Sequence, residues 1–233
     1  MDAEEGNGAS AGDDLTPAEV GRWDDRYGLL FLIILASMLL TAANTTWLKI
    51  VGVVMQGVMV LFAFFASRAD RRAWRLALVL IPLGVILGIV GRIDHSRTAQ
   101  LTAALVSVVL PVAAIGALGR RIVKDHTVSG RTILGLLSVY LLIGMTFSAV
   151  YVTIAIASQE PFFAQTQQAQ PVDFTYFSFV TLATVGYGDF TAANPLPRML
   201  SAIEGLTGQL YLVTVVAVAV SRVRTRRDRF PEA

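Results

Sequence analysis

Long apolar segments constrain the fold of this chain more than any other feature of its sequence. There are six of them, at residues 27–43, 47–67, 74–90, 98–118, 133–157 and 200–220. A helix rises about 1.5 Å per residue, so roughly 20 apolar residues cross the hydrocarbon core of a bilayer. With 55% hydrophobic residues, the chain is also more apolar than a typical soluble domain. The sequence therefore predicts an all-α integral membrane protein with six transmembrane helices.

Basic residues in the loops predict the orientation. Cytoplasmic loops of membrane proteins are enriched in Lys and Arg. The loops after the second and fourth segments and the C-terminal tail are strongly basic, and all three lie on one side if every segment spans. We therefore expect a multi-pass protein of the cell membrane with both termini cytoplasmic. The residues concerned are Arg68, Arg71, Arg72, Arg75, Arg120, Arg121, Lys124, Arg131, Arg222, Arg224, Arg226, Arg227 and Arg229.

The connection between the fifth and sixth segments contains an apolar, aromatic run at residues 174–183, "FTYFSFVTLA". It is too short to span a membrane, and a run of this length fits a re-entrant segment. Asp173 precedes it, where an N-cap residue is expected. We predict a half-membrane helix that enters from outside, after which "TVGYGD" at residues 184–189 returns the chain to the surface.

Irregular backbone at membrane depth is tolerated only inside protein or along a water-filled cavity. The glycines of "TVGYGD" permit backbone dihedrals that turn successive carbonyl groups toward one axis, where rings of them can replace the water shell of K⁺. On these residues the chain resembles the potassium channels, whose selectivity filter has this motif. The resemblance implies that the ion sites are supplied by Thr184, Val185, Gly186, Tyr187 and Gly188, with K⁺ at the first four.

One filter segment cannot close a ring, so the expected assembly is a homotetramer, with three identical subunits as partners of each chain. The six-helix plan resembles the voltage-gated-like branch of the family, and we expect a prokaryotic member. The domains then predicted are an acidic disordered cytoplasmic tail, a four-helix peripheral unit, a cytoplasmic linker, a pore domain and a basic tail that could bind anionic lipid or simply anchor the chain. They cover residues 1–25, 26–119, 120–132, 133–222 and 223–233.

Residues around the filter are assigned supporting roles. In relatives, a pore-helix tryptophan often bonds the carboxylate that follows the filter, so we predict a hydrogen bond from Tyr176 to Asp189. Thr181 is placed behind the filter, and Tyr187 is expected to point outward into packing. Because the sixth helix has no Pro-x-Pro kink, its hinge is predicted at Gly205 or Gly208. The cavity below the filter is predicted to be lined by Gln209, Leu212 and Val216.

Glu204 is the acid well inside an apolar segment, and such groups are costly in a membrane. At about 100° per residue, it lies about 140° around the helix from Gln209. This predicts that it points behind the filter, where Ser178 and Thr181 offer hydroxyl groups. Two interpretations stay open. Its protonation could alter filter support and make gating pH-sensitive, or it could be a protonated, hydrogen-bonded packing residue.

The predicted fourth helix has no basic residue between positions 98 and 119. Without gating charges the four-helix unit cannot give steep voltage dependence, so we interpret it as a scaffold rather than a degenerate sensor. The leading hypothesis is thus a potassium-selective channel with weak or no intrinsic voltage dependence. A non-conducting or regulatory subunit and a potassium transporter component remain alternatives. No enzymatic activity, cofactor or nucleic-acid partner is expected, because there is no nucleophile–base pair or metal cluster.

Overall fold

The described part of the chain contains six long helices and one short helix. The computed structural model describes residues 17–41, 46–66, 71–93, 97–124, 130–158 and 160–227. The helices are α1 (Pro17–Thr41), α2 (Thr46–Ala66), α3 (Arg71–Ile93), α4 (Arg97–Lys124), α5 (Gly130–Ser158), α6 (Pro171–Leu182) and α7 (Pro195–Arg227).

The helix boundaries differ from the predicted ones at the N-terminus. Helix α1 begins at Pro17, so its first turns fall within the segment that was predicted to be a disordered tail. Proline suits the first turn of a helix because its missing N–H group has no helical partner there. Residues 1–16 lie outside the described part of the chain.

Helix α5 joins the two halves of the molecule. It contacts α1 and α4 of the first four helices, and it also contacts α6 and α7. Helices α1 to α4 pack in sequence, and α2 also contacts α4. Their shared core is apolar, with Leu30, Met59, Ala114, Leu118 and Leu142 almost completely buried. Helices α1–α4 therefore meet the rest of the described chain mainly at α5, with a smaller contact between α1 and α6.

Two described stretches are long and apolar enough to cross a membrane, Arg97–Arg120 in α4 and Ile133–Ser158 in α5. Shorter apolar stretches lie in the first three helices at Tyr27–Leu40, Val54–Phe65 and Leu78–Leu87. Large apolar side chains also point away from the protein, and Leu39 is 76% exposed. Such a surface suits a lipid environment, while the predicted count of six spans stays a prediction.

Candidate functional site

The short helix α6 lies between α5 and α7 and carries the segment that follows it. It begins at Pro171, three residues before the predicted start, and Asp173 is its third residue rather than its N-cap. The Asp173 carboxylate accepts a hydrogen bond of 2.7 Å from the backbone N–H of Gln170, which is the N-cap. At about 1.5 Å per residue, its 12 residues span roughly half of a bilayer core, as predicted for a re-entrant helix.

Helix α6 ends in a Schellman motif, and this motif is also the start of the "TVGYGD" segment. The N–H of Thr184 donates to the carbonyl of Thr181 at 2.9 Å, and the N–H of Val185 donates to the carbonyl of Val180 at 2.9 Å. Such a motif needs a residue in the left-handed region after the C-cap, and Thr184 has φ of 55°. The first residue of the segment is thus anchored by the last turn of the helix.

The segment then alternates in backbone conformation. Positive φ angles occur at Thr184, Gly186 and Gly188, with values of 55°, 57° and 80°, and not at Val185 or Tyr187 between them. A Cβ atom at either glycine would meet nothing within 4 Å. Glycine is therefore required here by the left-handed backbone rather than by close packing. An alternation of this kind allows successive carbonyl groups to face one side.

The segment makes few contacts within its own chain. Residues 183–189 are all exposed, Val185 by 52% and Tyr187 by 72%. The outward packing that was predicted for Tyr187 stays a prediction, since most of this side chain is exposed in a single chain.

The predicted hydrogen bond between Tyr176 and Asp189 is present, with the phenol donating to Oδ2 of the carboxylate at 2.7 Å. This bond raises the pKa of Tyr176 to about 12, because the carboxylate stabilises the protonated phenol. The other carboxylate oxygen of Asp189 accepts from the N–H of Phe190 at 3.1 Å. Asp189 is thereby bonded to α6 through one carboxylate oxygen and to the next residue through the other.

Contacts at the C-terminal end of the segment, here called the clamp, were not predicted from the sequence. Phe163 and Ala192 form an isolated antiparallel bridge. The side-chain amide of Gln165 accepts from the N–H of Thr191 at 2.9 Å and donates to its hydroxyl at 2.8 Å. The loop before α6 is therefore bonded to the strand-like residues that follow Asp189.

Aromatic rings fill the space beneath this clamp. They form a contiguous cluster in which edge-to-face and tilted pairs lie about 5–6 Å apart, for example Phe162 and Phe174 at 5.2 Å. The consecutive aromatics "FF" within an otherwise polar loop were the available sequence signal for this core. Its members are Tyr151, Phe162, Phe163, Phe174, Phe177 and Ala192.

Glu204 on α7 is completely buried and points toward α6, behind the segment, as predicted. Its Oε1 atom contacts the hydroxyl of Ser178 at 2.5 Å, and its Oε2 atom accepts from the hydroxyl of Tyr151 at 2.6 Å. Ser178 was a predicted partner and Tyr151 was not. Thr181 was the other predicted partner, but its recorded bond is a different one, in which its backbone carbonyl accepts from the N–H of Thr184.

The two glycines predicted as a hinge lie where α7 approaches the end of α6. A Cβ atom on Gly208 would lie 2.1 Å from the carbonyl oxygen of Leu182, and one on Gly205 would lie 3.5 Å from that of Thr181. Helix α7 continues through both positions. The structure thus gives Gly208 a packing reason, and a hinge at either glycine stays a prediction.

The predicted cavity residues Gln209 and Leu212 are exposed on α7. The side chain of Val216 lies outside the described part of the chain. So do the side chains of the basic tail at residues 223–233, and its contact with anionic lipid stays a prediction. In the part that the structure describes, no group of three or more His, Cys, Asp or Glu side chains could hold a metal ion.

Comparison with known proteins supports a channel. Residues 139–225 match the Ion channel family, a range that contains α6, the "TVGYGD" segment and most of α5 and α7. A 91-residue stretch is 33% identical to Two-pore potassium channel 4 of Arabidopsis thaliana, covering 38% of this chain and 32% of that relative. The chain is thus similar to ion channels over less than half of its own length, and it spans about a third of the length of the relative that it matches.

Proposed function

We propose that this protein is a potassium-selective ion channel, in which four identical chains surround one axis and K⁺ crosses passively through rings of backbone carbonyl groups. The observation that carries the proposal is the alternation of positive φ at Thr184, Gly186 and Gly188 directly after a half-membrane helix. Carbonyl rings of this kind replace the hydration shell of the ion. The ion sites would lie along residues 184–188.

The end of α6 adds an electrostatic argument. The C-terminal end of a helix carries a partial negative charge, which favours a nearby cation. The C-terminus of α6 leads directly into Thr184, so this end lies at the inner mouth of the proposed filter. Gln209, Leu212 and Val216 would line the cavity below it.

The exposed surfaces of a single chain support the tetramer. The filter segment has no covering partner among the described residues, and α7 carries a seam of exposed apolar side chains spaced alternately three and four residues apart. Such spacing is typical of a helix that packs along another helix. Copies of this chain would cover the seam, whose residues are Leu196, Met199, Ile203, Leu206, Leu210 and Val213.

Two alternatives make different demands on the chain. A non-conducting or regulatory subunit does not need an anchored, alternating filter, so the geometry favours conduction. A single-chain potassium transporter needs four pore loops, whereas the described part of this chain has one. The similarity to a two-pore potassium channel also favours the channel.

Ion flux through liposomes that contain only the purified protein tests the proposal. We expect K⁺ to permeate far better than Na⁺ under matched gradients. Gly186→Ala should abolish flux or selectivity, because it places a side chain at φ 57°, where a left-handed residue costs roughly 1–2 kcal/mol. Gly116→Ala is the matched control, because a Cβ atom there meets nothing within 4 Å.

Equal K⁺ and Na⁺ flux through the native protein would falsify the selective channel. A tetramer that carries no flux under any gradient would favour the non-conducting subunit instead. Loss of flux in Gly186→Ala with retained flux in Gly116→Ala would assign the effect to the filter backbone.

A further inference from the structure

Four oxygen-bearing groups form a continuous chain behind the filter, and all are buried. The hydroxyl of Tyr151 on α5 contacts Oε2 of Glu204 at 2.6 Å, and Oε1 of Glu204 contacts the hydroxyl of Ser178 on α6 at 2.5 Å. The same Ser178 oxygen lies 2.7 Å from the carbonyl oxygen of Gly144 on α5. Tyr151, Ser178 and Glu204 each have no exposed surface.

The number of hydrogen atoms that these contacts need indicates whether Glu204 is protonated. Three oxygen–oxygen contacts need three hydrogens, and the carbonyl of Gly144 supplies none. Tyr151 and Ser178 each have one hydroxyl hydrogen. When Ser178 donates to Gly144, the hydrogen between Ser178 and Glu204 must come from the carboxyl group. A carboxylate leaves one contact without a hydrogen, whereas a neutral carboxylic acid satisfies all three.

The surroundings favour the same state. An ionised carboxylate is expensive to bury unless a cation or several donors compensate it. The recorded partners of Glu204 in the described part of the chain are two hydroxyl groups, and neither is a cation. The donor direction therefore runs from Tyr151 through Glu204 and Ser178 to Gly144.

The position of these hydrogen bonds links them to the proposed filter. Ser178 lies two residues before Val180, whose carbonyl accepts from Val185 at the start of the filter. Glu204 lies in α7, four residues before Gly208, which contacts the end of α6 closely. These hydrogen bonds thus tie α6 to both α5 and α7, within one turn of the backbone bonds that anchor Thr184 and Val185.

We propose that Glu204 is a positioning residue that works as a neutral carboxylic acid, donating to Ser178 while accepting from Tyr151, and so fixes the register of α6 against α5 and α7. The role in conduction rests on the proposed channel function, but the proton on Glu204 does not. Of the two interpretations open from the sequence, the hydrogen count supports a protonated group, and it adds a function for that group. pH-sensitive gating through Glu204 stays a prediction.

Infrared spectroscopy of the full-length protein tests the protonation directly. Near neutral pH, ordinary carboxyl groups are ionised. We expect the native protein to show the carbonyl stretch of a protonated carboxylic acid, shifted in D₂O and missing from Glu204→Gln. A native spectrum at neutral pH that lacks this band would overturn the neutral acid, whether or not the protein conducts.

The flux of two variants tests the positioning role. Glutamine keeps one donor and one acceptor in nearly the same volume, so Glu204→Gln should keep K⁺ flux and selectivity within about twofold of native. Glu204→Ala leaves two buried hydroxyl groups without their partner and should lower flux about tenfold or more. Tyr151→Phe, which removes one contact of the chain, should give an intermediate loss.

Each result decides the proposal. Loss of flux in Glu204→Gln as large as in Glu204→Ala would show that the charge is needed, and native flux in Glu204→Ala would remove the positioning role. If Glu204→Ala fails to fold, a Glu204→Gln protein with native flux still supports the neutral role. If the native protein conducts no K⁺ at all, the proposed function fails, while the infrared band still decides the state of Glu204.

Discussion

Side-chain hydrogen bonds of the described residues differ between two regions of this molecule. In the half formed by α5, α6 and α7, polar side chains bond from one helix to another, as Ser148 does with Thr175 at 3.1 Å and Tyr211 with the carbonyl of Leu136 at 2.6 Å. In the four-helix half, Ser37 and Ser107 donate to carbonyl groups of their own helices.

The difference follows from what each half has to specify. Apolar packing is non-directional and tolerates volume-conserving changes. Hydrogen bonds have narrow geometry, so bonds between helices fix both register and rotation. A proposed filter that depends on a few backbone carbonyls needs such fixed geometry, whereas a scaffold does not. We therefore expect substitutions in the α5–α7 half to cost more than matched substitutions in α1–α4.

The largest contrast is expected between two glycines. Gly208→Ala would bring a Cβ atom to 2.1 Å from the carbonyl oxygen of Leu182, so α6 and α7 must separate. Overpacking of this kind costs about 1–3 kcal/mol or more, and K⁺ flux should be lost. Gly116→Ala in α4 meets nothing within 4 Å and should be neutral or slightly stabilising, by up to about 1 kcal/mol.

The Tm in detergent and the K⁺ flux in liposomes are measured for both variants and for the native protein. A Gly208→Ala protein that matches native in both would show that α7 does not approach α6 as closely as the structure describes.

A smaller contrast is expected between two serines. Ser178→Ala removes bonds to two other helices and leaves Glu204 and the Gly144 carbonyl with one partner fewer. The cost is about 1–3 kcal/mol, which corresponds to several degrees in Tm for a chain of this size. Ser107→Ala removes one bond within α4 and should stay within about 0.5 kcal/mol. Equal shifts in Tm for the two variants would contradict the comparison.

The third contrast concerns Asp189, at the end of the proposed filter. Tyr176→Phe removes the donor to Asp189 and should speed slow inactivation by about twofold to tenfold. The pKa of Tyr176 is raised to about 12. The phenol is protonated and keeps this bond at every pH below the ordinary pKa of tyrosine, and it loses the bond only as the pH rises through about 12. Inactivation should therefore not change through this group between about pH 6 and 9.

Macroscopic K⁺ current from reconstituted channels measures the decay. Tyr140→Phe on α5 is the control, because that ring packs against Tyr211 on α7 and not against Asp189. An unchanged decay in Tyr176→Phe would mean that this bond does not support the filter.

The parts of this site that were predictable from sequence are local in the chain. The filter segment is contiguous, and the direction of Glu204 follows from helical periodicity along α7. Tyr151, its second partner, lies 53 residues away on another helix, and the register between two helices cannot be read from either one alone. The bridge between Phe163 and Ala192 was missed for the same reason.

The predicted N-cap of α6 was wrong, and the reason lies in the sequence next to it. Asp173 was taken as the N-cap because an acid before an apolar run often is one. In the structure Pro171 occupies the first turn and Asp173 the third position, where its carboxylate reaches back to the N–H of Gln170. Proline at the first turn was the better signal of where this helix begins.

The smallest expected effect concerns membrane voltage and tests the four-helix half by itself. One charge that crosses the membrane field contributes about 2.3 kcal/mol per 100 mV, so steep opening needs several of them. Between positions 98 and 119, helix α4 has no basic residue, and its basic side chains are confined to its ends, as at Arg97, which donates to the carbonyl of Ala157 on α5 at 2.7 Å. A side chain that caps a neighbouring helix in this way fastens α4 to α5.

We therefore expect a shallow conductance–voltage relation in a planar bilayer with symmetric K⁺, nearly unchanged by Arg97→Gln. A steep sigmoid that requires several gating charges per subunit would show that α1–α4 is a sensor and not a scaffold.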